Sequence, residues 1–203
     1  MPQIADPITY GSEPSPGRVR WTRQQCEALL DAGILEGRYE LIDGEIISKK
    51  GQKPQHRIAV ILVSNWLRLV FGNLFIQSQS SIDVAEEENE HNEPEPDAAV
   101  TREPTTAYTR GNPGPKDLLL AVEVSDTTLR FDRGKKAALY AAAGVPDYWV
   151  LGINGRRLFV CRQPTKRGYL DTTIYSADES VSPLDRPDVL VRVNELLPPI
   201  GNR

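Results

Sequence analysis

Three residues carry the chemistry that the sequence offers: Asp97, Glu123 and Lys136. Asp97 follows Pro96 and opens a short apolar run, Ala98-Ala99-Val100. Glu123 interrupts the run DLLLAVEVS (117–125), which otherwise has the composition of a strand buried on both faces. A carboxylate in such a run is costly unless it is paired, hydrogen-bonded or metal-bound, so Glu123 needs a partner. If the strands of Asp97 and Glu123 are antiparallel neighbours, their carboxylates converge at one sheet edge. Two hard oxygen ligands of that kind suit Mg²⁺ or Mn²⁺, which also draw on water and substrate phosphate. Such an ion activates water and offsets charge on a phosphodiester under attack. Lys136 would add a positive group able to orient or deprotonate that water. Taken singly, Asp97 reads as a turn residue and Lys136 as a solvated helix lysine; the set of three makes the case.

The elements that must position these residues follow from local pattern. Thr22 with Gln25 makes a capping box, and Cys26, Leu29 and Leu30 follow at helical spacing up to Gly33. Two β-compatible runs, 39–42 and 45–48, flank Asp43-Gly44, the signature of a hairpin with a two-residue turn. That register puts Glu40, Ile42, Glu45 and Ile47 on one face, which is either solvated or turned toward a site. Apolar residues at i, i+3 and i+4 predict a helix over 56–71. LFIQSQSSIDV (74–84) reads as one long or two short strands, 97–101 as a strand and 101–116 as a Pro/Gly-rich loop. Asp132 reads as the N-cap of a helix that carries Lys135, Lys136 and Tyr140 and ends at Gly144. Strands over 148–151 and 157–161, joined around Asn154-Gly155, and a further strand over 169–175 complete the body. Tyr148 and Trp149 are assigned to the core.

This order of elements predicts an α/β fold with a mixed sheet, in which a helix crosses over between neighbouring strands. The organisation expected is a flexible Pro/Gly-rich arm (1–20), one domain (21–180) and a Pro-rich tail (181–203) docked on it. The chain of 203 residues has a net charge of −4. Eight of its 28 carboxylates fall within 83–97, a stretch with no Lys or Arg that reads as a solvated loop. Outside it, bases outnumber acids. Lys49, Lys50, Lys53 and Arg57, with Arg130, Arg133, Lys135 and Lys136, would form a phosphate-contacting rim if the fold brings them to one side. The stretch 58–71 is interrupted by Ser64, Asn65 and Arg68, so no membrane span is expected. The first twenty residues lack the apolar core of a secretory leader. With two isolated cysteines, Cys26 and Cys161, these features point to the cytoplasm.

The ordered set Tyr39-Glu40-Leu41-Ile42-Asp43-Gly44-Glu45, His56 opening a helix, Pro96-Asp97, Glu123-Val124-Ser125, Asp132-Arg133-Gly134-Lys135-Lys136 and Ala143-Gly144-Val145-Pro146-Asp147-Tyr148-Trp149 resembles the Uma-type family of endonucleases. That family belongs to the restriction-endonuclease-like, PD-(D/E)xK superfamily. The resemblance runs from about Trp21 to Tyr169. It implies a restriction-endonuclease-like core preceded by a helix and hairpin, and a metal-dependent hydrolase acting on DNA without an organic cofactor. Asp97 and Glu123 would hold Mg²⁺ or Mn²⁺. In the superfamily pattern a lysine stands two residues after the glutamate; here that position is Ser125, and Lys136 on the following helix would take its role. Glu45, and less directly Glu40, would be the extra acid from an early element. His56, Ser125 and Tyr140 are auxiliary candidates, and Lys135 and Arg133 candidate phosphate contacts. Two-strand cleavage would favour a homodimer. The competing expectation is a nucleic-acid-binding or dimerising protein that keeps the fold without turnover.

Overall fold

The computed structural model describes residues 3–4, 19–49 and 51–200. In chain order these form β1 (Gln3–Ile4), α1 (Arg23–Asp31), the hairpin β2 (Tyr39–Ile42) and β3 (Glu45–Ser48), α2 (Pro54–Phe71), β4 (Ile76–Gln77), β5 (Ala98–Thr101) and β6 (Leu118–Ser125). A continuous helical segment follows: α3 (Leu129–Phe131), a π-helical turn (Asp132–Lys136) and α4 (Ala137–Ala143). Then come β7 (Asp147–Gly152), β8 (Arg157–Thr165), β9 (Gly168–Ser176), the short pair β10 (Ser180–Val181) and β11 (Val191–Arg192), and α5 (Val193–Leu196). The main sheet has seven strands in the order β1-β9-β8-β7-β6-β5-β4. Its β6–β7 pair is parallel and the others antiparallel, so the sheet is mixed, as expected. A parallel pair requires a crossover, which the helical segment 129–143 supplies.

Alternation along β6 sorts its side chains between two layers. Leu120, Val122 and Val124 pack with Ala59, Val63 and Leu67 of α2 and with Leu196 of α5, which docks the C-terminal tail. Ala121 faces the other way, onto a cluster with Tyr140 and Ala141 of α4 and Tyr148 and Val150 of β7. Trp149 is buried and its ring lies 6.0 Å from that of Trp66, nearly parallel to it. Trp66 therefore serves the core. Glu123, between Val122 and Val124, falls on the α4 side.

Several expectations hold and several shift. Thr22 and Gln25 form the capping box at the start of α1. The hairpin register is as read, with Ile42 opposite Glu45 and Glu40 opposite Ile47. The strand expected over 74–84 is reduced to two residues, because the polar run Ser78–Ser81 makes side-chain bonds instead of ladder bonds. The acidic stretch is not simply a solvated loop. Arg23 of α1 binds Asp83 at 2.7 Å, the Asn92 carbonyl at 2.7 Å and Asn89 at 3.2 Å. Backbone bonds between Leu41 and Glu93 join this stretch to the hairpin, and Val84, Asn92 and Glu95 are buried. The β7–β8 connection is a four-residue loop, since Gly152 pairs with Arg157, rather than a two-residue turn at Asn154-Gly155. Of the arm, Gln3–Ile4 pairs with Ile174 and Thr173 of β9, where no strand was expected. Residues 1–2 and 5–18 of the arm, Lys50 and residues 201–203 lie outside the described residues.

The hairpin turn is held tightly. Asp43 and Gly44 adopt φ of 53° and 72°, and Gly44 exchanges backbone bonds with Trp21 and His91. A Cβ on Gly44 would lie 2.6 Å from the Arg20 Cβ and 2.8 Å from its Cα. Gly44→Ala is expected to cost at least about 1 kcal/mol from backbone conformation alone and to lower Tm by about 2–4 °C or more. Thermal unfolding followed by circular dichroism checks this.

Candidate active site

The β5–β6 register sets Ala98 opposite Val122, which brings Asp97 level with Glu123 across the two strands. Asp97 is fixed through Oδ2, which accepts the Val124 N–H at 2.9 Å and lies 3.4 Å from His56 Nε2 at the start of α2. Gln79 Nε2 approaches the other oxygen, Oδ1, at 3.4 Å. Glu123 uses one oxygen, Oε1, to accept both Lys136 Nζ at 2.8 Å and the Tyr140 hydroxyl at 3.1 Å. The same Lys136 ammonium donates to Glu40 Oε1 at 2.8 Å. That oxygen also takes the Glu95 N–H at 2.8 Å and lies 3.1 Å from Lys49 Nζ. Glu40, Glu123 and Lys136 are all under 5% exposed, yet all three line the wall of a cleft of about 650 Å³. Asp97, His56, Gln79, Lys49 and Lys53 line it too.

Lys136 reaches this point because of the helix that carries it. The helix begins at Leu129, four residues before the expected start, and Asp132 is inside it instead of capping it. The Asp132 carboxylate accepts the hydroxyls of Ser125 and of Thr128, the latter at 2.6 Å. In the π turn the Ala137 N–H bonds to the carbonyl of Asp132, five residues back. In this wider turn Asp132 and Lys136 both point into the buried site, whereas Arg133, three residues before Lys136, is carried off that face. Such single π turns recur at functional sites.

The charges of the site act on one another. Burial works against the charged form of Lys136, but Glu123, Glu40 and Asp132 outweigh it and raise its pKa above the ordinary lysine value. The lysine is therefore an ammonium. Glu123 is pushed well up by burial and by the neighbouring Glu40, Asp132 and Asp97, against the pull of Lys136. Burial also raises Asp132. Asp97 goes the other way: burial would raise it, but His56, the Val124 N–H and Lys49 together lower it. His56 is the mirror case, lowered by burial and raised on balance by Asp97.

Of the residues singled out in the sequence, the fold brings together Asp97, Glu123, Lys136, Glu40, His56 and Tyr140. It does not bring Glu45 to them. Glu45 sits at the hairpin tip, 3.0 Å from Lys135, which also lies 3.6 Å from Asp43. Lys135 is thus neutralised by the hairpin and does not face the cleft. Arg133 stacks on Phe159, 3.9 Å from the ring centroid, on the other side of the helix. Ser125 is buried and spends its hydroxyl on Asp132. Among the described residues, the rim expected from both basic clusters keeps Lys49, Lys53 and Lys136, joined by Arg38. Lys49, Asp132, Glu95 and Gln79 were not picked out as site residues; Lys49 stood within a basic cluster and Asp132 within the Asp132–Lys136 motif, whereas Glu95 and Gln79 left no signal of function in the sequence.

Among the described residues no group of three or more His, Cys, Asp or Glu is arranged to enclose a metal ion. The donors present are the Asp97 and Glu123 carboxylates, with Glu123 Oε2 not engaged by Lys136 or Tyr140. Hard oxygen donors in this number fit Mg²⁺, which commonly binds through one or two carboxylates and keeps several waters.

The sequence profile of the Uma2 family, described as "Putative restriction endonuclease", matches residues 28–194. The chain belongs to this family. A solved structure described as a "putative nuclease belonging to DUF820", from Anabaena variabilis, superposes with a TM-score of 0.59 over 78% of this chain and 88% of that one. At 15% identity that likeness shows a shared fold. No curated protein matches the chain. No helix among the described residues is long and apolar enough to cross a membrane.

In this Uma2-family chain the Glu40–Lys136–Glu123 bridge is buried, so Lys136→Met leaves Glu123 without its cation and Glu40 with Lys49 alone. It is expected to destabilise the fold by about 3–5 kcal/mol, with Glu40→Gln recovering part of the loss in the same background; urea unfolding of the double-mutant cycle measures it. The His56–Asp97 pair makes a second prediction. His56 binds its proton more tightly folded than unfolded, so its contribution is complete below the ordinary value of 6.5 and fades as pH rises through the raised folded value. His56→Gln should remove that slope from a plot of Tm against pH.

Proposed function

We propose that this protein is a divalent-metal-dependent nuclease that hydrolyses phosphodiester bonds in DNA, with the cleft around Asp97, Glu123 and Lys136 as its active site. The observation that carries this reading is the level placement of Asp97 and Glu123 at one strand edge, with Lys136 seated on the inner oxygen of Glu123. Membership of a family described as restriction endonucleases supports the nucleic-acid substrate.

In this reading Asp97 and Glu123 hold Mg²⁺. When bound, the ion lowers the pKa of water and offsets charge at the reacting phosphate. Asp97 presents Oδ1, its other oxygen being fixed by the Val124 N–H and by His56. Glu123 presents Oε2 while Oε1 stays with Lys136 and Tyr140. Lys136 is held as an ammonium between two carboxylates, so it has no lone pair with which to take a proton from water. Its part is to orient the attacking water and to stabilise negative charge on the phosphate oxygens. Glu40 supplies the second anchor that keeps the ammonium in place. Lys53, exposed at the start of α2 and paired with Asp126 at 2.8 Å, can exchange that partner for a substrate phosphate.

Asp97→Ala and Glu123→Gln are each expected to abolish Mg²⁺-dependent nicking of plasmid DNA while circular dichroism stays that of a folded protein. Lys136→Met should lower the rate by about 10²–10³-fold, the usual loss for one charge-stabilising donor. Unchanged cleavage in both carboxylate variants would remove those residues from the mechanism, and DNA retention without cleavage by the native chain would point to a binding role. The raised Glu123 pKa gives a pH prediction. Protonation competes with the cation, so Mn²⁺ affinity should fall as pH drops through the Glu123 titration. Calorimetric titrations across pH, which also report proton release, test this.

A further inference from the structure

Gln79 has a backbone conformation that its surroundings do not otherwise require. Its φ is 52°, in the left-handed region that non-glycine residues seldom occupy. Of the three other described non-glycine residues with positive φ, two are accounted for by tight turns. Asp43 and Arg156 lie in the β2–β3 and β7–β8 turns, and Gln163 lies within β8, whose register against β9 is the same on either side of it. Gln79 is in neither a hairpin turn nor a bulge. It lies in the irregular segment after β4, where its side chain lines the cleft. A strained residue held in a site is a reason to look for function there.

The conformation aims Gln79 at Asp97 twice. The Gln79 N–H donates to the Asp97 carbonyl at 3.3 Å, and its side-chain Nε2 donates to Asp97 Oδ1 at 3.4 Å. The orientation of the amide is fixed from behind by Arg38. One Arg38 nitrogen donates to Gln79 Oε1 at 3.3 Å and another to the Gln79 carbonyl, also at 3.3 Å. A guanidinium only donates, so the amide oxygen must face Arg38 and the amide nitrogen must face Asp97. Arg38 is itself anchored on Glu95.

We propose that Gln79 is a positioning residue for the cation site: it occupies one lone pair of Asp97 Oδ1 and so directs the other toward the ion. This rests on the reading of Asp97 as a metal ligand and extends it to a residue that does not touch the metal. Hydrogen-bond partners of metal-binding carboxylates act in this way, and losing one commonly costs 10–100-fold in affinity. The strained backbone is what brings the amide to Asp97. Stability and metal affinity should therefore separate on substitution. Glycine relieves the left-handed conformation but has no amide, while leucine keeps the bulk and the strain and also has no amide.

The test is Mn²⁺ binding to the full chain, measured by calorimetry without DNA, for wild type, Gln79→Leu and Gln79→Gly, with Tm recorded for each. Both variants are expected to bind Mn²⁺ about tenfold or more weakly, and Gln79→Gly to melt at or above the wild-type temperature. Wild-type affinity in either variant overturns the proposal. So does a loss of affinity that tracks a fall in Tm in both variants, which would mark a structural role only. A wild-type chain that binds no Mn²⁺ overturns the metal reading itself, and this inference with it.

Discussion

A single buried ammonium holds the site together. Lys136 lies between Glu40 and Glu123, 2.8 Å from an oxygen of each, and all three side chains are almost wholly removed from water. Two buried carboxylates without that cation would be untenable, and a buried lysine without them would give up its proton. The three groups come from separate parts of the chain: the early hairpin, the central strand and the crossover helix. Their mutual neutralisation therefore joins the three around one point. The charge is not fully balanced, since Asp97 and Asp132 stand beside the pair, and the raised titration of Glu123 reflects its burial first and then this surplus of carboxylates. A site with an excess of buried anionic oxygen is one that a divalent cation would relieve.

The same interaction narrows the chemistry. The sequence alone leaves Lys136 free to be either a base or a cation, and its two anionic partners favour the cation. The rest of the machinery follows the same logic of fixing one oxygen and offering the other. Asp97 is held through Oδ2 by donors from β6 and α2, and Glu123 through Oε1 by two donors of the crossover helix. Such anchoring sets the direction of the remaining oxygens before any ligand arrives, which is what preorganisation of a charged site requires.

What was legible in the sequence was local. The Thr22–Gln25 capping box, the Asp43-Gly44 turn and the apolar run around Glu123 each state their structure within a few residues, and each is found as read. The antiparallel pairing that sets Asp97 beside Glu123 was a condition the sequence could pose and the fold meets. What was not legible depended on distant partners. Glu40 and Glu45 share a hairpin face by register, and nothing within the hairpin says which turns inward. That is decided by the docking of β2 against the segment at Glu93, which buries Glu40 and leaves Glu45 at the tip. The acidic stretch looked solvated because its counter-charge, Arg23, lies some sixty residues away. Arg133 and Lys136 would share a helix face in an ordinary α-helix, but the π turn separates them, and no local propensity marks that turn.

The proposed activity requires that Asp97 and Glu123 hold a divalent cation within reach of Lys136. Anomalous diffraction from Mn²⁺-soaked crystals tests it most directly. The expected result is a peak bound by both carboxylates, with the Lys136 ammonium within about a hydrogen bond or one water of an open coordination position. A cleft without a peak, with Glu123 neutralised by Lys136 alone, would contradict it.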